Sequence, residues 1–325
     1  MSFERNHSAD RLGFRVGRSF TEHVTERAVL EHETVQLSAD EGTVAARQAV
    51  GRDLALFQNQ IPAKMTAHVV IDPLWIMFML PMAWRGDYLF NGVAARLGDI
   101  FMSCNTSGYV TLGEARDSLA VRVRKSRLTG ALRALSGGAE VPPLDAQRLA
   151  IGEAKSISLR HQALAVMNAA ACQPARAGRF TLPQAVEDDF IALLSGVIST
   201  QPDNCISRDP GQLQPLRIVR AAMRALDLQP GQGVSLAQLC ETTGVGQTWL
   251  SRCFHEVCGV SPMAYLRARR LSQARAQLLD EVNTAASVKD VALSLGFTHL
   301  SRFAVDYAAL FNEKPSETLL RAPRN

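Results

Sequence analysis

No hydrophobic run in the 325-residue chain is long enough to cross a bilayer. The densest apolar stretch, Leu74 to Ala83, is ten residues and contains Pro81. A spanning helix needs about 20 apolar residues, so no membrane partner is expected. The opening residues, MSFERNHSAD, carry no apolar segment of the secretory type, and a cytoplasmic protein is expected. Six cysteines (Cys104, Cys172, Cys205, Cys240, Cys253 and Cys258) form no C-x-x-C pair. Buried or free thiols fit this scatter better than a disulfide or zinc framework. Seven dispersed histidines give no H-x-H or H-E-x-x-H, so no metal is expected. A Gly-rich phosphate loop, a nucleophile elbow and a paired-carboxylate motif are also missing. The sequence therefore points away from an enzyme and implies no cofactor.

What is present is enough apolar residue to bury a core: 47% apolar against 20% charged. The length suits about two domains. The net charge of +4 is unevenly placed. From Gln212 onward there are 13 basic and 9 acidic residues, whereas the first 211 residues balance at 22 each. Eleven of those 13 are arginine, the side chain suited to bidentate and phosphate contacts.

Residues 1–20 read as a frayed leader, with one strand expected before residue 50. Short strand-length runs then follow: 53–58, 65–71, 74–80, 87–90, 99–103, 109–112 and 119–123. Turn residues separate them, and Asn91-Gly92 and Arg85-Gly86 are hairpin-type signals. His68 is the one histidine expected among the strands. Helical periodicity begins after Lys125, where Leu128, Leu132 and Leu135 share a face, and continues over 154–171 and 182–198. The Pro-rich stretch 201–215 reads as a linker. The expected division is 1–205 for a strand-rich domain with following helices, to which the family resemblance given below assigns effector binding and dimerisation, 206–215 for the linker and 216–325 for a helical domain.

The helical domain contains an internal repeat. Ser235, Leu239, Cys240 and Gly244 match Ser287, Val291, Ala292 and Gly296 at an offset of 52. Leu250, Phe254, Gly259 and Pro262 match Phe303, Tyr307, Asn312 and Pro315 at an offset of 53. Each copy starts at a serine N-cap with a polar residue three positions on, a capping box. A short helix, a glycine turn and a second helix with an apolar i, i+4 pair complete a helix-turn-helix, expected at 235–257 and 287–311. Between them, Pro262 to Asp280 reads as a connecting helix about 27 Å long. That length would set the two units roughly one DNA turn apart, about 34 Å.

On the second helix of the first unit, Thr248, Ser251, Arg252 and His255 lie at i, i+3, i+4 and i+7, opposite Leu250 and Phe254. These residue types read base edges. Gln247 and Trp249 complete the candidate DNA face, and Thr298, His299, Ser301 and Arg302 form its counterpart in the second unit. Arg267, Arg269, Arg270 and Arg275 on the connecting helix are the phosphate-contact candidates. Among the strands, Trp75, Met77, Met79, Trp84, Tyr88 and Phe90 suit barrel core or an apolar pocket, so no effector-binding residue is assigned.

At these motifs the chain resembles the AraC/XylS family of bacterial transcription regulators, over about 105 residues, 217 to 321. The G-x-S-P and Y-L-x-x-x-R-L-x-x-A-x-x-L segments after the first unit carry the resemblance. So does HLSRFAVDY with SETL in the second, which is most similar to the XylS branch. The family often has serine where Gly246 stands, glycine where Asn312 stands, and basic residues where Val305, Ala308 and Ala309 stand. The resemblance implies an α+β chain: an N-terminal cupin-like β-barrel or sandwich with following helices, then an all-α tandem helix-turn-helix domain. It also implies an effector-responsive activator of a metabolic or catabolic operon. Its partners would be double-stranded promoter DNA, RNA polymerase, a small-molecule effector and a second copy of the chain. A repressor or architectural protein without an effector is the alternative, and a cupin-type enzyme with a DNA-binding tail is the remaining one.

Overall fold

A computed structural model describes residues 15–17, 29–39, 44–104, 108–137, 144, 148–171, 180–200, 206–207, 210–227, 234–279 and 287–321. Most of the expected leader lies outside the described residues. Strands dominate the first part: β1 (Arg15–Gly17), β2 (Val29–Gln36), β3 (Val44–Val50), β4 (Leu54–Ile61), β5 (Met65–Ile71) and β6 (Trp75–Trp84). They continue with β7 (Tyr88–Phe90), β8 (Val93–Ala94), β9 (Asp99–Ser103), β10 (Tyr109–Gly113) and β11 (Arg116–Arg124). Helices then alternate with short strands: α1 (Lys125–Leu135), β12 (Arg148–Ala150), α2 (Glu153–Ala171), β13 (Phe180–Thr181), α3 (Gln184–Ser199) and β14 (Ile206–Ser207).

The strands form two sheets. The larger runs β1-β3-β4-β11-β6-β9-β12-β14, with β13 beside β3, and the smaller runs β2-β5-β10-β7-β8. Period-two alternation decides what each face meets. On β11, Leu119, Val121 and Val123 join Leu128 and Leu132 of α1 and the apolar faces of α2 and α3 in one core. Ala120 points the other way, into a second core with Ala67, Val69, Met77, Met79, Phe90, Phe101 and Tyr109 between the sheets. Phe90 stacks on Phe101 and Tyr109 at 4.8 and 5.0 Å between centroids. Met77, Met79 and Phe90 are thus core between the sheets, and Leu135 is 56% exposed, outside the stripe expected for it.

The hairpin signals had different outcomes. Asn91 and Gly92 take positive φ (53° and 81°) and join β7 to β8 as a hairpin. Arg85-Gly86 joins strands of different sheets, so it is a corner. A turn signal specifies a local reversal but not the strand that will pair beyond it. Pro81 sits within β6 where the β11 register shifts between Asp117 and Ser118, the bulged setting that tolerates a missing N–H. His32 lies on β2, so His68 is not alone among the strands.

The tight turn between β3 and β4 is held from outside. Glu187 of α3, 1% exposed, accepts hydrogen bonds from the N–H groups of Arg52 (2.9 Å), Asp53 (2.7 Å) and Leu54 (3.0 Å).

The C-terminal part is all helix: α4 (Pro210–Asp227), α5 (Leu236–Thr243), α6 (Gln247–Cys258), α7 (Pro262–Leu279), α8 (Val288–Ser294), α9 (Leu300–Phe311) and α10 (Pro315–Arg321). The stretch expected as linker contains regular structure. Ile206–Ser207 pairs with β12, and α4 already begins at Pro210, with Pro215 inside it. Pro210 stands at the first helical position, where a missing N–H costs no bond, whereas Pro215, the sixth residue, forgoes the bond to the carbonyl of residue 211.

Candidate nucleic-acid interface

Local chemistry builds both helix-turn-helix units as the repeat implies. Ser235 accepts from Gln238 N while the Gln238 side chain returns to Ser235 N, and Ser287 and Asp290 form the same reciprocal box. Gly244 and Gly296 take φ of 68° and 78°, the left-handed region that glycine enters without cost to a Cβ. Asn312 ends α9 at φ 51°, so asparagine fills the position where the family usually has glycine. Gly246 begins α6 without a side-chain cap.

Each unit has its own core. Leu239, Leu250, Phe254, Val257 and Tyr265 pack with α4 residues in the first. Val291, Ala292, Phe303, Tyr307 and Phe311 pack with Leu271, Ala274 and Leu278 of α7 in the second. Tyr307 donates to Thr318 Oγ1 at 2.8 Å, and Thr318 donates to Glu313 at 2.7 Å, tying α10 beneath α9.

Burying those faces turns the opposite ones outward. Gln247, Thr248, Arg252 and His255 are exposed on α6, while Trp249 and Ser251 are half-buried. The Arg252 guanidinium lies 5.4 Å over the Trp249 ring. His255 Nδ1 is 2.8 Å from Ser251 O, which leaves its other ring nitrogen turned away from the helix backbone. On the second unit Thr298, His299, Ser301 and Arg302 are all exposed. So are Val305 (65%), noted above as a departure from a basic residue, and Leu300 (37%), which was not among the candidates. For Val305 the signal was present, since it falls off the Phe303–Tyr307 stripe; Leu300 shares that stripe at i, i+3, i+7 and is exposed as the first residue of α9.

Asp306 is the other residue missed. It pairs with Arg302 at 3.2 Å and with Arg267 of α7. Desolvation would raise its carboxyl, but hydrogen bonding and charge from Arg267, then Arg302, hold it below the ordinary aspartate value. Asp306 therefore restrains the one arginine available to the second recognition helix.

The connecting-helix arginines divide differently from expectation. Arg267 is exposed, and its guanidinium meets Asp306. Arg270 is half-buried, 5.7 Å over the Phe297 ring, and burial lowers its pKa. Arg269 (8% exposed) pairs with Glu33, and Arg275 (9%) lies 3.4 Å from Glu313 and 4.7 Å over Phe311. Arg269 and Arg275 thus face protein, and a phosphate contact would require breaking those pairs. Four arginines on an 18-residue helix cannot share one face, and packing on two sides takes up the rest.

Among the described residues, no group of three or more His, Cys, Asp and Glu is placed to hold a metal. No helix among them is long and apolar enough to cross a membrane.

Two capped helix-turn-helix units on one connecting helix, each with an exposed second helix, define a tandem helix-turn-helix DNA-binding domain. Residues 239–321 match the protein family described as a helix-turn-helix domain. Over 88 residues the chain is 40% identical to XylDLEGF operon transcriptional activator 2 of Pseudomonas putida, covering 27% of this chain and 56% of that protein. The chain thus spans about half the length of that curated relative. Among solved structures it is similar to a probable AraC family transcriptional regulator from Rhodopseudomonas palustris, at 36% identity and a TM-score of 0.31. That likeness covers 34% of this chain and 99% of the other. A structure of ToxT from Vibrio cholerae with a bound unsaturated fatty acid aligns over 92% of this chain and 98% of its own, at 13% identity and a TM-score of 0.32. The C-terminal domain is thus of the AraC type, similar to that of XylS-like operon activators.

The two recognition helices are expected to contribute unequally. In the repeat register Thr248, Ser251, Arg252 and His255 correspond to Ser301, Ala304, Val305 and Ala308. Three of the latter four have no side-chain donor or acceptor, so they offer bases only apolar contact, which suits the thymine methyl. Binding selection on randomised DNA should return a steep base pattern at one half of each site and a weaker, thymine-biased one at the other. Equal information in both halves would contradict this.

Proposed function

We propose that this chain is a cytoplasmic, homodimeric transcription activator that binds promoter DNA through both helix-turn-helix units and responds to a small-molecule effector held by its N-terminal, cupin-like domain. The observation carrying the reading is the pair of exposed recognition helices on one connecting helix. An 18-residue α7 is about 27 Å long, near one turn of duplex, which suits two successive major grooves on one DNA face. The similarity to an operon activator supports activation through RNA polymerase. No catalytic role is assigned to any residue. Footprinting on the DNA flanking the chain's own gene tests the reading; no protected region would defeat it. A thermal-shift screen of small metabolites tests the effector, because a ligand specific to the folded state raises stability by mass action.

Dimer contact is assigned to α2 and α3. Their inner faces cover the larger sheet, yet Ile157 and Leu193 remain 39% and 36% exposed. Light scattering should show the full chain as a dimer and the Ile157→Glu, Leu193→Glu double variant as a folded monomer, with a melting temperature lowered by no more than the lost dimer linkage. A variant that remains dimeric would move the interface elsewhere.

A further inference from the structure

The smaller sheet has two faces with different duties. Its inner residues Ala67, Val69, Phe90 and Tyr109 line the core between the sheets. On the outer face, Val35 of β2 and Val110 of β10 belong to the core of the first helix-turn-helix unit. Alternate residues of the same strands therefore touch the core between the sheets and the DNA-binding domain.

The outer contacts reach three separate parts of that domain. On the first unit's side, Arg220 of α4 donates to Gly108 O and, at 3.2 Å, to Asn91 Oδ1. Burial, and then the charge of Arg224, lower that guanidinium to about 10. The Asn91 side chain also accepts from Val110 N at 2.9 Å, which links the contact to the sheet's own hydrogen bonding. On the connecting helix, Arg269 pairs with Glu33 of β2, and Ser272 Oγ accepts from Gln36 N at 3.3 Å. On the second unit, the Gln36 side chain donates to Leu310 O at 2.9 Å, near the end of α9.

The two units have largely separate cores, joined by α7 and by Leu310 of α9, which packs against both. A connecting helix with one shared side chain leaves bending and twisting between units weakly restrained. A twisted sheet bonded to the first unit, the connector and the second unit removes that freedom. The contacts leave the recognition faces of α6 and α9 exposed, so the sheet holds the domain without covering its DNA surface.

We propose that the smaller sheet is a brace that fixes the two recognition helices relative to each other, through Arg220, Glu33–Arg269 and Gln36–Leu310, in the arrangement that binds DNA. This rests on the proposed DNA-binding function.

The test uses the full chain and the double variant Glu33→Gln, Gln36→Ala. Neither residue lies on a recognition face. Two duplexes are compared: one from binding selection with both halves of the site, one with the half read by the second unit scrambled. The variant should bind the complete duplex about 3- to 10-fold more weakly, as expected for losing one or two hydrogen bonds to charged or carbonyl partners. It should bind the scrambled duplex as the parent does. Equal binding of both duplexes would overturn the brace, and tighter binding of the complete duplex would make the contact a restraint instead. Amide hydrogen exchange without DNA gives a second readout: protection should fall in α8 and α9 and persist in α5 and α6. Unchanged exchange would overturn the proposal. If exchange rises as described while the parent binds no duplex, the brace stands and the DNA-binding reading fails. A charge-reversed pair, Glu33→Arg with Arg269→Glu, should recover protection that either single change loses.

Discussion

Replacing Arg252 with alanine is expected to weaken specific DNA binding by about 1–3 kcal/mol, roughly 5- to 150-fold, and to relax preference at one base position. Arg252 is exposed on α6 and directed by sequence spacing away from the core residues Leu250 and Phe254. Its stacking over Trp249 limits the conformations it loses on binding, since cation–π contact holds the fork before DNA arrives. A planar guanidinium can bond guanine O6 and N7 together, and an ammonium cannot reproduce that geometry. Arg252→Lys should therefore retain the salt dependence of the parent but lose base preference. Binding selection with parent and both variants measures this, and an unchanged base profile for Arg252→Ala would remove the residue from the reading surface. Trp249→Ala should cause a smaller loss in the same position, because the fork survives without its platform.

Glu187→Ala is expected to cost about 3–5 kcal/mol of folding stability. Three backbone donors, from Arg52, Asp53 and Leu54, depend on this one carboxylate. Leaving a buried donor without an acceptor costs about 1–3 kcal/mol, and water entering the space left by the side chain recovers part of it. Against a net stability of about 5–15 kcal/mol, this is a large fraction. Glu187→Gln keeps one acceptor oxygen and should fall between parent and alanine variant. Denaturant unfolding of the three proteins checks the order, and a Glu187→Ala protein as stable as the parent would show that the turn holds without it. Position 51 gives an independent check. A Cβ added to Gly51 would collide with the Glu187 carboxylate, so Gly51→Ala should displace it and destabilise the same turn.

The helix-turn-helix units were legible in the residues because their determinants are close in sequence. A serine cap and its partner are three positions apart, the turn glycine follows within one helix, and apolar pairs repeat at i, i+4. The repeat then doubled each signal, and the structure places Leu250, Phe254, Phe303 and Tyr307 in the two cores. Strand positions were legible for a similar reason. Residues 65–71 and 99–103 form strands with the bounds their patterns imply.

Which strands pair, and what their faces meet, depended on residues far apart in the chain. Arg85-Gly86 has the composition of a hairpin turn, but β6 finds β11 and β9 as neighbours, so the chain turns a corner between sheets. The arginines of α7 follow the same rule. Composition alone marks Arg269 and Arg275 as phosphate contacts, yet Glu33 lies 236 residues from Arg269 and meets it only once the smaller sheet packs on α7. Helix caps, turns and periodicity are local interactions, so the sequence by itself determined the class of the DNA-binding domain and its exposed reading face. The tertiary structure alone decided which guanidinia face solvent and how the two domains join, because burial and ion pairing depend on chain segments brought together by folding.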